Sequence, residues 1–145
     1  MATKSTKAVK GEKTFTDAEK EAMKDLAKER KRGKKDGAAD LAAKIAELGG
    51  NDKVLAQKLH ELVTTHAPGL KPTTWYGMPA WAGDNGKAVL FFTPGEKFKE
   101  RYATLGFSSS AKLDEGNFWP TSYALLKIGP AEEKQIVALI KQAAG

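Results

Sequence analysis

The chain has 145 residues, no cysteine and a formal net charge of +6. This length fits one domain that buries roughly two thirds of its unfolded surface, and the lack of cysteine excludes disulfides and thiolate metal sites. Residues 1–37 carry 12 Lys and Arg against 7 Asp and Glu, whereas residues 38–145 carry 12 against 11. The body of the protein is therefore nearly neutral, and its charge alone does not indicate nucleic-acid binding.

The first segment, residues 1–14, is polar and rich in lysine, so we expect a disordered basic tail. The tail lacks the apolar stretch of a secretory signal. The longest strongly apolar run, residues 88–92, is too short to span a bilayer. We therefore expect a cytoplasmic protein without a membrane partner.

A charged helix followed by a linker is predicted for residues 15–37. Thr16 and Glu19 have the spacing of a capping box, and acidic residues pair with basic residues three positions later. The helix runs into a basic stretch, residues 28–35. One interpretation is a nucleic-acid contact through residues 4–35. The other, which we prefer, is a solvated helix end whose cations suit the helix dipole.

Residues 38–145 are predicted to form one α+β domain. Two helices with apolar residues at helical spacing are separated by Gly49 and Gly50, and Asn51 or Asp52 is expected to cap the second. The final helix is expected to begin at Gly129-Pro130 and to bury four residues: Ile136, Val137, Leu139 and Ile140.

Between these helices the periodicity changes to that of strands. Residues 73–81 and 87–93 flank an Asn-Gly hairpin signal, residues 101–108 alternate, and a last strand passes through Tyr123. Pro120 is expected to place the start of that strand at an edge or a bulge. The predicted fold is α+β, a small antiparallel sheet of about four strands packed against N-terminal helices and a C-terminal helix.

Eleven of the twelve aromatic residues fall between Trp75 and Tyr123. Neighbours such as Trp75 and Tyr76, or Phe91 and Phe92, point to opposite faces if they share a strand. One interpretation is an aromatic pocket in which a lysine or arginine anchors an anion; the other, slightly preferred, is a sandwiched core. The candidate ligand-binding residues are Tyr76, Met78, Trp81, Lys97, Arg101, Trp119 and Tyr123.

Signals for catalysis are weak. His60 and His66 lie about 240° apart around a helix, unlike the two histidines of a zinc-binding helix. The serines at 108–110 lack the glycines of a nucleophile elbow. We assign no catalytic residue, metal ligand or cofactor, and we favour a binding module over an enzyme. The Met78–Pro79 bond is expected to be trans.

Four segments of the chain resemble the YdhG/YdeI-like bacterial domain family: residues 75–81 (Trp-Tyr-Gly-Met-Pro-Ala-Trp), 89–92, 98–107 and 119–123. The resemblance extends over residues 51–143. It implies a bacterial α+β domain, mostly of unassigned function, and brings no catalytic residues. The partner implied is an unknown small molecule or protein, and the expected state is a monomer or weak homodimer.

Some members of that family are described as frataxin-like iron chaperones, which makes iron carriage an alternative function. Iron would need a cluster of carboxylates, because hard cations prefer several oxygen ligands. The best row, Asp17, Glu21, Asp25 and Glu29, has a basic residue three positions after each acid. These cations would compete with iron, so the sequence disfavours the alternative.

Overall fold

The computed structural model describes residues 16–32 and 37–145, with backbone alone for residues 25–32. The described helices are α1 (Asp17–Arg32), α2 (Gly37–Glu47), α3 (Gly50–His66) and α4 (Pro130–Ala144). The strands are β1 (Lys71–Trp75), β2 (Met78–Ala82), β3 (Ala88–Thr93), β4 (Ala103–Phe107) and β5 (Ser122–Leu125). The predicted α+β class is confirmed. None of the helices described is long and apolar enough to cross a bilayer.

The five strands form one antiparallel sheet in the order β1-β2-β3-β4-β5. The prediction of about four strands is one too few, because the run from 73 to 81 contains a tight turn. Trp75 pairs with Met78, and Tyr76 and Gly77 between them have φ of 53° and 77°. Two consecutive positive φ values are typical of a type I′ hairpin turn. Tyrosine is unusual at a position with positive φ. The sequence of this turn therefore does not contain the Asn-Gly pair that normally predicts such a hairpin.

The second hairpin is where the sequence predicts it. The N–H of Gly86 donates to the Gly83 carbonyl over 2.9 Å, and the Gly83 N–H donates to the Lys87 carbonyl over 3.0 Å. Gly86 has φ of 80°, which glycine adopts without strain. The Asn-Gly signal therefore correctly places the connection between β2 and β3.

The core lies between one face of the sheet and the helices. Phe92 of β3 is fully buried on that face, whereas Phe91 is half-buried on the opposite face, with its ring against Gly106 of β4. The predicted opposition of these two phenylalanines is confirmed. The largest fully buried side chains are Trp81, Phe92, Leu41, Leu55, Leu59, Leu90, Leu105 and Ile140.

The ends of α1 and α4 follow local sequence rules. Glu19 N–H donates to Thr16 Oγ1 over 3.1 Å, and Thr16 N–H donates to Glu19 Oε1 over 2.9 Å, which confirms the capping box. Pro130 begins α4, and Glu132 accepts a hydrogen bond from Gly129 N–H. Of the four residues expected to be buried in α4, Ile136 and Ile140 are buried, whereas Val137 and Leu139 are half-buried against the core.

The start of α3 differs from the prediction. Its N-cap is Gly49, with no side-chain hydrogen bond, so neither Asn51 nor Asp52 caps the helix. Asn51 instead donates to the Leu126 carbonyl over 2.8 Å. Asp52 is 3% exposed and accepts hydrogen bonds from three consecutive backbone N–H groups, those of residues 95–97, over 2.9, 3.2 and 3.0 Å. The β3–β4 connection thus offers the carboxylate three converging donors, more than the helix end would supply.

We expect Asp52→Asn to destabilise the protein, because the amide group replaces one acceptor oxygen with a donor facing backbone N–H groups. Unsatisfied buried donors and the lost charge-assisted bonds predict a loss of about 2–3 kcal/mol in the free energy of unfolding. Urea denaturation followed by circular dichroism measures this loss. Glu47→Gln, on an exposed carboxylate, is the control, and an equal effect of the two variants would contradict the role of Asp52.

Candidate functional site: a cavity beside Phe118

Trp81 belongs to the core. It is fully buried, and its Nε1–H donates to His60 Nδ1 over 3.2 Å, with the two rings stacked at a centroid distance of 6.2 Å. Because His60 Nδ1 accepts this hydrogen bond from Trp81, Nδ1 carries no proton of its own. Partial burial lowers the pKa of His60, which favours the same neutral form. For Trp81, the core interpretation of the aromatic cluster therefore holds.

Tyr76 and Met78 lie at a different place, on and beside the β1–β2 turn. Tyr76 is 39% exposed and contacts Trp75 edge-on at 5.1 Å between ring centroids. Trp75 also contacts Phe91 at 5.0 Å, and Met78 Sδ accepts a hydrogen bond from Thr93 Oγ1 over 3.1 Å. The sheet face turned away from the core therefore carries its own small aromatic group. The Met78–Pro79 bond is trans, as predicted.

The two candidate anion anchors lie in the β3–β4 connection. Lys97 Nζ forms an ion pair with Glu21 of α1 at 3.1 Å. The Arg101 guanidinium stacks over the Tyr102 ring at 5.0 Å from its centroid. Neither side chain lines the cavity to which Trp119 belongs. Their assignment to ligand binding stays a prediction.

Trp119 lines a cavity of about 600 Å³ formed by the end of β4 and the β4–β5 connection, residues 108–121. This volume lies in the usual range for small-molecule sites. Tyr123 packs perpendicular to Phe107, a wall residue, at 6.0 Å between ring centroids. The lining consists of Phe107, Ser108, Ser109, Ala111, Asp114, Asn117, Phe118, Trp119 and Thr121.

Hydrogen bonds hold this long connection against the body of the protein. Ser108 Oγ donates to the Ala88 carbonyl, and Phe107 N–H donates to the Thr121 carbonyl over 2.8 Å. Lys112 N–H donates to the Ala143 carbonyl of α4 over 3.0 Å. Ala111 and Leu113 are buried in the core. The cavity wall is therefore tied to β3, β4 and α4 rather than formed by a free loop.

The cavity presents groups that the fold itself does not use. Phe118 is 95% exposed, the most exposed of the large apolar side chains described. The side chains of Ser109, Asp114 and Asn117 form no hydrogen bond or ion pair with any described residue. The candidate residues predicted from the sequence did not include Phe118. The one available signal was the Phe118-Trp119 pair directly after that turn.

In two other cavities, charged side chains of the wall already have partners. One, of about 310 Å³ beside the β2–β3 turn, contains the exposed ion pair of Lys71 with Asp84 at 3.9 Å. Another, of about 390 Å³, lies where α1 meets the β3–β4 connection, and Lys97, Glu21 and Asp52 in its wall already bind one another or the backbone. The cavity beside Phe118 is thus the better candidate, because Ser109, Asp114 and Asn117 in its wall have no partner among the described residues.

The alternative functions gain no supporting geometry. Among the described residues, no three His, Asp or Glu side chains are grouped to hold a metal ion. In the acidic row, Glu21 is engaged by Lys97, and the side chains of Asp25 and Glu29 lie outside the described residues. The basic tail, residues 1–14, and the side chains of the basic stretch, residues 28–35, also lie outside them.

We expect acidification to destabilise the fold through His60. Its folded pKa is lowered from 6.5, so the unfolded chain takes up the proton first, and stability present above about pH 6.5 is lost as the pH falls. His60→Asn keeps an acceptor near Nδ1 but does not titrate. Urea denaturation at about pH 7 and pH 5 should show a shallower loss of stability in this variant.

The control for this experiment is His66→Asn, which removes the second of the two histidines and leaves the Trp81 hydrogen bond in place. Equal pH dependence in His60→Asn and the unmodified protein would contradict the assignment to His60.

Comparison of the chain with family models, with curated proteins and with solved structures finds no match. The resemblance to the YdhG/YdeI-like family therefore depends on its motif residues alone and stays a prediction.

Proposed function

We propose that this domain is a small binding module that holds a planar organic ligand in the cavity between Phe118 and Trp119. The supporting observation is the coincidence, in one cavity, of an almost fully exposed phenylalanine with polar side chains that have no partner among the described residues. Soluble domains leave single apolar residues exposed without consequence, but here the ring lines a cavity of ligand size.

The chemistry of the wall supports ring binding. The exposed ring of Phe118 offers a stacking surface next to the partly buried Trp119, and covering an exposed Phe ring contributes on the order of 2 kcal/mol. Asn117 can both donate and accept hydrogen bonds, while Asp114 can accept them. A wall of this composition fixes the orientation of a ligand through a few polar groups and derives affinity from apolar contact.

The wall also lacks the arrangement needed for catalysis by a nucleophile. Ser108 Oγ donates its hydrogen bond to the Ala88 carbonyl. Its hydroxyl proton is therefore not donated to a general base, as it would be in a serine nucleophile. Neither histidine is in the lining. Binding without chemistry is accordingly the function that these residues support.

For a ring compound of about ten non-hydrogen atoms, we expect dissociation constants of about 0.1–3 mM. Titration of the ¹⁵N-labelled protein with quinoline, followed by NMR, should shift the Trp119 indole and Asn117 amide signals together. Phe118→Ala should weaken this binding by about fivefold or more, because the stacking surface is lost.

Leu126→Ala is the matched control, since it truncates another exposed apolar side chain that lies outside the cavity wall. Unchanged binding in Phe118→Ala, or signal shifts confined to other parts of the protein, would contradict the proposal.

A further inference from the structure

We propose that the cavity beside Phe118 prefers planar ligands that carry a positive charge. This inference depends on the proposed function, because it names the class of ligand that the same cavity takes. It departs from the anion-binding pocket expected from the sequence, since the lysine and arginine of that prediction lie in another part of the fold.

The charge of the wall is the first argument. Among the lining residues Asp114 is the single charged side chain, and no Lys, Arg or His contributes. The charge of the lining is thus opposite in sign to the net charge of the chain, which is +6. Glu115, exposed beside Asp114, adds a second carboxylate to the same loop. With Lys112 as its one basic residue against these two acids, the segment 108–121 has a formal net charge of −1 at neutral pH.

The nearest cation in sequence, Lys112, forms no ion pair with Asp114. A β-carbon placed on Gly145 would lie 2.9 Å from Lys112 Nζ, so the Lys112 side chain extends along the end of α4. The described residues offer Asp114 no ion pair. A positively charged ligand can thus meet the carboxylate without displacing an existing partner, which would otherwise subtract from its affinity.

The aromatic walls are the second argument, and they favour the same sign of charge. The faces of phenyl and indole rings carry a negative quadrupole, which attracts a cation lying above the ring. Phe118 and the partly buried Trp119 line the same cavity as Asp114. Stacking binds a flat ring of any charge, whereas the carboxylate and the quadrupoles together distinguish the cation.

Three probes with the same bicyclic ring test this preference: 1-methylquinolinium, neutral quinoline and quinoline-4-carboxylate. NMR titrations at low ionic strength should give the cation an affinity about tenfold above that of quinoline and the carboxylate the weakest affinity. Asp114→Asn should remove most of the affinity advantage that the cation has over quinoline. Glu115→Gln, a neighbouring carboxylate outside the wall, should reduce the advantage much less.

The outcomes separate this inference from the proposed function. Binding of quinoline at Trp119 with no preference for the cation, or a preference unchanged in Asp114→Asn, would overturn the charge selection and leave the binding module intact. Failure of all three probes to bind at millimolar concentration would overturn both. A preference that depends on Asp114 and weakens with added salt supports the inference.

Discussion

The buried carboxylate of Asp52 joins the start of α3 to the connection between β3 and β4. A buried carboxylate is stable when several donors satisfy it, and three consecutive backbone N–H groups do so here. About two turns further along α3, His60 accepts a hydrogen bond from the indole N–H of Trp81 in β2. These two polar contacts orient the helix over the sheet, whereas the apolar contacts between the layers are not directional.

The opposite end of the sheet has a different physical character. The β4–β5 connection is long, yet hydrogen bonds to the Ala88 and Ala143 carbonyls hold it to the body. A loop fixed at both ends in this way can display side chains that take no part in folding. Phe118 and Asp114 are displayed by such a loop, which is why the candidate site belongs there rather than at the helix-covered core.

Local rules predicted much of the fold. The Thr16–Glu19 box, the glycines before α3 and the Asn-Gly hairpin each depend on neighbours in the chain, so a short window of sequence contains their cause. The turn at Tyr76-Gly77 was missed because tyrosine rarely adopts positive φ, and the run around it has uniform strand character. The expected cap at Asp52 was wrong because its partners lie 43 or more residues away.

The candidate site likewise has features with a local cause in the sequence and features that depend on distant segments. The sequence by itself determined that the aromatic residues concentrate in the second half of the chain and that one side of each strand must be buried, since composition and alternation are properties of the chain. Only the tertiary structure decided that Trp81 is buried against His60 of α3, that Lys97 pairs with Glu21, and that Phe118, Trp119 and Asp114 line one cavity. These outcomes depend on which distant elements pack together, because burial and charge pairing are relations between segments that no local pattern contains.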